Sequence, residues 1–293
     1  MGAAEKGLDM ASSKVSVLIP RTAGTNCDRE LAWAFEQAGA AVSTVHINRL
    51  MDNPGELDHH QILALAGGFS YGDDIASGKI FANQLIHHLK RPLEQWVADG
   101  KLIIGICNGF QILVKAGLLP GPMPQLPSGD LFTGTLTHNS HARFEDRWVR
   151  LQSYSGVCKW IAPGKTLRLP IAHGEGRFMV RSAGILDALK HNDQIVLRYV
   201  DTAGNPAAQF PENPNGSTDA IAGICDVTGR VFGLMPHPER FTETYLGPDW
   251  TRNRSESTAD GSELFANAVH FVRQSGTVLV TSNDAVVTAA AAG

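Results

Sequence analysis

The chain has few cysteines and no runs of basic residues, and these absences exclude several classes of protein. Its 293 residues include four cysteines, Cys27, Cys107, Cys158 and Cys225, and none of them forms a Cys-x-x-Cys pair. Neither a zinc ribbon nor a thioredoxin-type motif is therefore predicted. Lysine and arginine are scattered through a chain of net charge −4, which argues against a nucleic-acid or membrane-surface protein.

Long apolar segments are also missing. The first residues, MGAAEKGLDMASSK, are polar and lack the apolar core of a signal peptide. No run approaches the roughly eighteen apolar residues that a membrane-spanning helix needs. Because the cysteines show no disulfide pattern, we expect free thiols and a cytoplasmic location.

Apolar strand-like runs alternate with amphipathic stretches in the first half of the chain, which predicts an α/β fold. Strands are predicted at KVSVLIP, AAVSTVHI, QILALAG and KLIIGI. Helices are predicted for residues 28–39, with Asp28 as the N-cap, for much of 81–99, and directly after Cys107. This order is typical of a parallel sheet covered by helices and joined by right-handed crossovers.

The second half is less regular and indicates an added strand region. A proline-rich loop is predicted at residues 119–130. Strands are predicted at RFEDRWVRLQ, KTLRLPIAHGEGRF and DQIVLRYV, and a hairpin at IAGICDVTGRVFGLMPH. The segment SELFANAVHFVR predicts a last amphipathic helix.

Cys107 lies in the sequence GICNG, where Gly105 and Gly109 flank it at a spacing of two. An arbitrary buried cysteine usually acts as a small hydrophobe. Here, however, a strand precedes the turn and a helix follows it, as in the Gly-x-Ser-x-Gly nucleophile elbow. A thiol at a helix N-terminus is favoured as thiolate, so Cys107 is a candidate nucleophile.

A thiolate nucleophile needs a base, and two His-x-Glu pairs are candidates. One is His173 with Glu175 in a glycine-rich loop, and the other is His237 with Glu239. In an extended segment, residues two apart share a face, so each carboxylate could orient its own histidine. The second pair follows an apolar strand, and this rigid support favours it over the first without excluding the first.

The glycines of AGGFSYGD suggest an oxyanion hole or, equally, a tight turn after a strand. Gly67 and Gly68 would free the backbone to direct N–H groups at an oxyanion, and the N–H of Asn108, the residue after the nucleophile, is a second candidate donor. The segment from Gly72 to Ile80 resembles a phosphate loop, but its glycine spacing is wrong and Ile80 replaces the hydroxyl residue. No ATP site is therefore predicted in this chain.

Together these residues resemble the class I (triad) glutamine amidotransferases. The blocks GTNCDRE, GGFSYGDD, CNGFQIL, AHGEGRF, NPNGS and GLMPHPERF are similar to the glutaminase component of phosphoribosylformylglycinamidine synthase. The resemblance implies a flavodoxin-like fold with a central, mostly parallel sheet and an added antiparallel region. It covers residues 15–273, and it leaves 1–14 as an N-terminal extension and 274–293 as a C-terminal tail.

The resemblance implies a role for each matching residue. Cys107 would be the nucleophile, His237 the general base and acid, and Glu239 the orienting carboxylate, which decides between the two His-x-Glu pairs. The remaining implied positions are Gly68, Phe69 and Asn108 as oxyanion-hole backbone, Gln111 as a glutamine contact, and His173 with Glu175 shaping the pocket or the partner contact.

The resemblance further implies that ammonia released from L-glutamine reaches a synthetase partner that makes formylglycinamidine ribonucleotide in purine biosynthesis. ATP and magnesium are expected on that partner, and no cofactor or metal is expected in this chain. A small third subunit is an optional addition. Two alternatives stay open: a triad glutaminase serving another synthetase, and a non-enzymatic flavodoxin-like thiol-sensing module.

Overall fold

The computed structural model describes residues 14–123, 133–252 and 259–275. The proposed N-terminal extension, except for Lys14, lies outside the described residues, as does the C-terminal tail after residue 275. Most of the predicted proline-rich loop at 119–130 also lies outside them.

The described strands and helices follow the chain in a mixed order. The strands are β1 (Ser16–Arg21), β2 (Ala41–His46), β3 (Ile62–Leu65), β4 (Leu102–Ile106), β5 (Gly134–Thr137), β6 (Glu145–Ser153), β7 (Thr166–His173), β8 (Arg177–Val180), β9 (Ile195–Tyr199), β10 (Ile221–Cys225) and β11 (Val231–Leu234). The α-helices are α1 (Asp28–Gln37), α2 (Ile47–Asp52), α3 (Lys79–His88), α4 (Lys90–Ala98), α5 (Asn108–Lys115), α6 (Ala183–His191) and α7 (Ser262–Ser275).

One large sheet has the strand order β2-β1-β3-β4-β11-β10-β9-β6-β7. The strands from β2 to β11 pair in parallel, and those from β11 to β7 pair antiparallel. This arrangement confirms the predicted α/β fold with an added antiparallel region. The predicted hairpin is β10 with β11, whereas KTLRLPIAHGEGRF divides between β7 in the large sheet and β8, which pairs only with β5.

The central strands are apolar throughout because both faces of the sheet are covered. Every residue of β3, β4, β10 and β11 is buried, as expected for strands in the middle of a layered α/β fold. Helices α1 and α7 contact each other through Phe35 and Phe265, whose ring centroids are 5.0 Å apart. Helix α5 packs on β3, β4 and β11, and this packing places its N-terminus at the carboxyl ends of those strands.

Two sequence-based predictions of helices were wrong in detail, and one helix was not predicted. Residues 81–99 form two helices that break at Leu89, because Pro92 would clash with the carbonyl of His88 in a continuous helix. Asp28 is the first residue of α1 and not its cap; the N-cap is Cys27, and Asp28 pairs with Arg21 at 3.3 Å. Helix α6 was missed, although the Ser182 side chain caps it by accepting a hydrogen bond from the backbone of Ile185.

Within the described ranges, none of the helices combines the length and the apolar character that crossing a bilayer would require.

Candidate active site

Cys107 occupies a sharp turn between β4 and α5. Its backbone has φ 51° and ψ −105°, a region that residues with a Cβ rarely adopt. The turn is held because the Cys107 N–H donates to the carbonyl of Leu234 at 2.8 Å. A Cβ on Gly109 would overlap the carbonyl oxygen of Leu65, so only glycine lets α5 start this close to β3. The geometry is that of a nucleophile elbow.

His237 follows β11 and is joined to Glu239 by a short hydrogen bond. The His237 Nδ1 and Glu239 Oε1 atoms are 2.6 Å apart, and both side chains are almost completely buried. The turn at Pro238–Arg240 is a 3-10 turn, so the pair does not lie on the extended segment assumed from the sequence. Among the described residues, His237 Nε2 is buried and has no hydrogen-bond partner.

Gly67, just after β3, lies where Cys107 and His237 approach each other. A Cβ on Gly67 would lie 2.9 Å from Cε1 of His237 and 3.5 Å from Cβ of Cys107. Since β3, β4 and β11 are parallel neighbours, their carboxyl ends bring these three residues to one edge of the sheet. Ligand sites of open α/β sheets occur at this edge.

The electrostatics of His237 suit a proton carrier. Burial lowers the pKa of its imidazole, but the negative charges of Glu239 and Cys107 outweigh burial and raise this pKa well above its usual value. The imidazolium form of His237 is thus stabilised beside the Cys107 sulfur.

The backbone N–H groups that are candidate oxyanion donors differ in whether they already donate a hydrogen bond within the protein. The Phe69 N–H donates to the carbonyl of Gly24 at 2.9 Å, so in this conformation it is not available to an oxyanion. Gly68 has φ 138° and stands against the backbone of residues 24–26, where a Cβ would not fit. Asn108 is the first residue of α5, so its N–H is one of the unpaired donors at the helix N-terminus.

Gln111 belongs to a buried hydrogen-bond network next to the elbow. Its Nε2 donates to the carbonyl of Glu175 at 2.7 Å, and its Oε1 accepts from Nδ2 of Asn108 at 2.9 Å. Asn108 Nδ2 also lies 3.3 Å from Oδ1 of Asp73. These contacts hold the loop after β7 against α5, and this packing would shape one wall of the substrate pocket.

His173 and Glu175 share the His-x-Glu spacing but do not pair. His173 Nδ1 lies 3.2 Å from Oδ1 of Asn139, while Glu175 turns its carbonyl toward Gln111. Burial lowers the pKa of His173 to about 3, with a smaller contribution from the charge of His237. His173 is therefore neutral at physiological pH, and it lies close enough to His237 for the charge of that residue to lower its pKa.

Replacement of His173 by glutamine should reduce the acid sensitivity of folding. Between pH 6.5 and about 3 the unfolded chain protonates this histidine and the folded chain does not, so its contribution to stability falls as pH falls. Wild-type protein should lose on the order of 2 kcal/mol more than His173→Gln when the free energy of unfolding is compared at pH 7.5 and pH 5. Urea titrations at the two pH values give this difference; equal losses would contradict it.

The sequence-based analysis missed Cys27 and Arg240, which border the same site. The Arg240 guanidinium donates to the Cys27 sulfur at 3.1 Å. Cys27, His237 and Glu239 offer ligand atoms within 4.8 Å of one another, a set that could attract a soft metal ion. The fixed positive charge of Arg240 beside the sulfur opposes a cation there, so the set does not fit a resident metal. In the sequence, the position of Cys27 directly before Asp28 indicates only the start of a helix.

Comparisons with known proteins identify the family of the chain. A family model described as a CobB/CobQ-like glutamine amidotransferase domain matches residues 14–272. Phosphoribosylformylglycinamidine synthase subunit PurQ of Dehalococcoides mccartyi is 44% identical over 263 residues, covering 89% of this chain and 99% of that protein. PurQ of Methanococcus maripaludis strain S2 is 40% identical over 266 residues, covering 87% of this chain and 96% of that protein.

A solved structure supports the same relationship. A chain of the structure described as PurLQS from Thermotoga maritima matches with a TM-score of 0.65 and 31% identity, over 88% of this chain and 99% of that chain. The family model, the sequence relatives and this fold all extend across the segment that holds the elbow and the histidine–glutamate pair. The chain therefore belongs to the PurQ family of glutamine amidotransferases.

Proposed function

We propose that Cys107, His237 and Glu239 form the catalytic triad of a glutaminase that supplies ammonia to phosphoribosylformylglycinamidine synthase. The observation that supports this most directly is the buried 2.6 Å contact between His237 Nδ1 and Glu239 Oε1, next to an elbow cysteine. The carboxylate fixes the imidazole tautomer and leaves Nε2 to exchange a proton with sulfur, ammonia and water.

In the first half of the reaction, the Cys107 sulfur bonds to the side-chain amide carbon of glutamine. The resulting oxyanion is stabilised by the N–H groups of Gly68 and Asn108, and Phe69 could add a donor only after leaving Gly24. The C–N bond then breaks as His237 gives its proton to the departing nitrogen, which leaves as ammonia. The product on the enzyme is a γ-glutamyl thioester at Cys107.

In the second half, His237 takes a proton from water and the resulting hydroxide attacks the thioester carbon. The C–S bond breaks, glutamate leaves and the thiolate is restored. Gln111, held by Asn108 and the Glu175 carbonyl, would contact the glutamine substrate, and His173 with Glu175 would shape the pocket wall.

The ammonia has a use only if an acceptor receives it before water protonates it. We place the acceptor site on a synthetase subunit that binds ATP, magnesium and formylglycinamide ribonucleotide, with or without a small third subunit. Burial supports a site completed by docking: Cys107 is 5% exposed and His237 is 2% exposed. Because all four cysteines are free, we place the protein in the reducing cytoplasm.

Addition of the synthetase partner should activate glutamine hydrolysis by this chain. We expect a rise of at least about tenfold in kcat for glutamate formation, since docking would open and order a site that is buried in the free subunit. The measurement is glutamate release by the chain alone, with its synthetase, and with a triad-dependent synthetase of another pathway. Activation by the unrelated synthetase and not by the expected one would assign the glutaminase to a different partner.

A further inference from the structure

Cys27 is a second sulfur in the catalytic centre, and the proposed chemistry above does not use it. It is the N-cap of α1 and is only 1% exposed. The backbone N–H groups of Asn26 and Cys27 both donate to the carbonyl of Gly67, at 3.4 and 3.2 Å. The loop before α1 is therefore attached to the end of β3, one strand away from the elbow.

The side chains of Glu239 and Arg240, which are neighbours in the short turn after His237, point in different directions. Glu239 contacts His237, whereas the next residue, Arg240, donates to the Cys27 sulfur at 3.1 Å and lies 3.7 Å from Glu30 of α1. Arg240 thus ties the turn to the N-terminal end of α1. The Cys27 sulfur is the buried acceptor of this link, and the Glu30 carboxylate is its more exposed partner.

The Cys27 sulfur also lies beside the imidazole of His237, since ligand atoms of Cys27, His237 and Glu239 are within 4.8 Å of one another. The point where a Cβ on Gly67 would stand is 3.2 Å from this sulfur and 2.9 Å from Cε1 of His237. One hydrogen bond, in which Nδ1–H of His237 donates to the Glu239 carboxylate, leaves the ring free to rotate about that contact. A second contact with the ring removes this freedom, and the neighbouring sulfur is placed to provide it.

We propose that Cys27 is a positioning residue for His237: its sulfur, held by Arg240, keeps the imidazole in the orientation that directs Nε2 toward Cys107. This inference rests on the proposed glutaminase function and adds a residue to it. The sulfur forms no bond with substrate in this role. Its contact also contributes to the raised pKa of His237, after burial and the charges of Glu239 and Cys107.

The test compares Cys27→Ala and Cys27→Ser in the complex with the synthetase. Alanine removes the acceptor, and we expect kcat with glutamine to fall by about tenfold or more with little change in KM, because misplacement of a catalytic group lowers turnover. Serine keeps an acceptor for Arg240 and should restore most of the loss. Activity with added ammonium should stay at the wild-type value in both variants.

The pH dependence of activity distinguishes a role of Cys27 in positioning His237 from a purely structural role in packing. Activity declines at high pH when His237 loses the proton that it gives to ammonia, and the Cys27 contact raises the pKa of that group. Removal of the contact lowers this pKa, so the basic limb of the profile should move to lower pH in Cys27→Ala. The matched control is Cys225→Ala, which removes another fully buried thiol away from the site and should lower stability without moving the limb.

A second variant, at Arg240, tests the Cys27–Arg240 contact from the side of the guanidinium. It keeps the inference testable if the Cys27 variants do not fold. Arg240→Met should lower kcat at least as much as Cys27→Ala does, because it also removes the contact with Glu30. The double variant should be no slower than Arg240→Met, because the Cys27–Arg240 contact is already broken there. Wild-type kcat and pH profile in Cys27→Ala, or equal losses in the alanine and serine variants, would overturn the inference. Glutamine use by a Cys107→Ala protein would instead overturn the proposed function.

Discussion

Replacement of Cys107 by alanine should abolish glutamine-dependent synthesis of formylglycinamidine ribonucleotide and leave ammonium-dependent synthesis intact. The thioester cannot form without the sulfur, and removal of a nucleophile typically costs at least about 10⁴-fold in turnover. The synthetase reaction needs only ammonia, so added ammonium salt should bypass the loss. The fold should persist, because alanine removes one sulfur from an otherwise unchanged elbow.

The measurement is product formation by the whole complex with glutamine and, separately, with ammonium at high pH, where free ammonia is available. Cys158→Ala is the matched control, since it removes a buried thiol remote from the elbow and should retain glutamine use. Glutamine-dependent activity in the Cys107 variant would eliminate the thioester mechanism. Loss of both activities in a folded protein would show that Cys107 serves the complex in another way.

Replacement of Gly109 by alanine should lower both the stability of the protein and its glutaminase activity. The added Cβ would overlap the carbonyl oxygen of Leu65 at the end of β3, and neither backbone segment can yield without moving the elbow. We expect the free energy of unfolding to fall by on the order of 3 kcal/mol, which is the upper end of the usual range of costs for overpacking. Displacement of the Cys107 sulfur by about 1 Å would cost a further ~10²-fold in kcat of the surviving folded protein.

Gly184 provides the matched control for this substitution. It lies exposed in α6, and the nearest atom to an added Cβ is the Ser182 hydroxyl at 3.9 Å. Gly184→Ala should therefore stabilise the protein by roughly 0.5–1 kcal/mol and leave kcat unchanged. Denaturant unfolding and glutaminase assays of the two variants check the pair of expectations. Equal stability of Gly109→Ala and wild type would mean that α5 can move away from β3 at little cost.

The elbow could be recognised from the sequence because its requirements are local. A strand, two glycines around a cysteine and a helix all lie within residues 101–115, and the close approach of α5 to β3 explains why Gly109 is needed. The parallel half of the sheet and the β10–β11 hairpin were also predictable, since they follow from periodicity and from a short turn between apolar runs.

The two His-x-Glu pairs mark the limit of local reasoning. Their spacing is the same, yet Glu239 contacts His237 because the chain after Pro238 forms a 3-10 turn, whereas His173 contacts Asn139 from a distant segment. Which pair meets Cys107 depends on β11 lying beside β4, and strand order is a long-range property. In the sequence, the rigid strand before His237 favoured the second pair, and the resemblance of the motifs to a known family decided the prediction.

Local patterns of residues were thus sufficient for the fold class, the elbow and the type of chemistry, because backbone sterics and hydrophobic periodicity act over a few residues. Tertiary packing was needed to bring Cys27 and Arg240 to His237, to engage the Phe69 amide with Gly24, and to leave Nε2 of His237 without a partner among the described residues. These contacts join segments up to 213 positions apart, so no short-range signal in the chain specifies them.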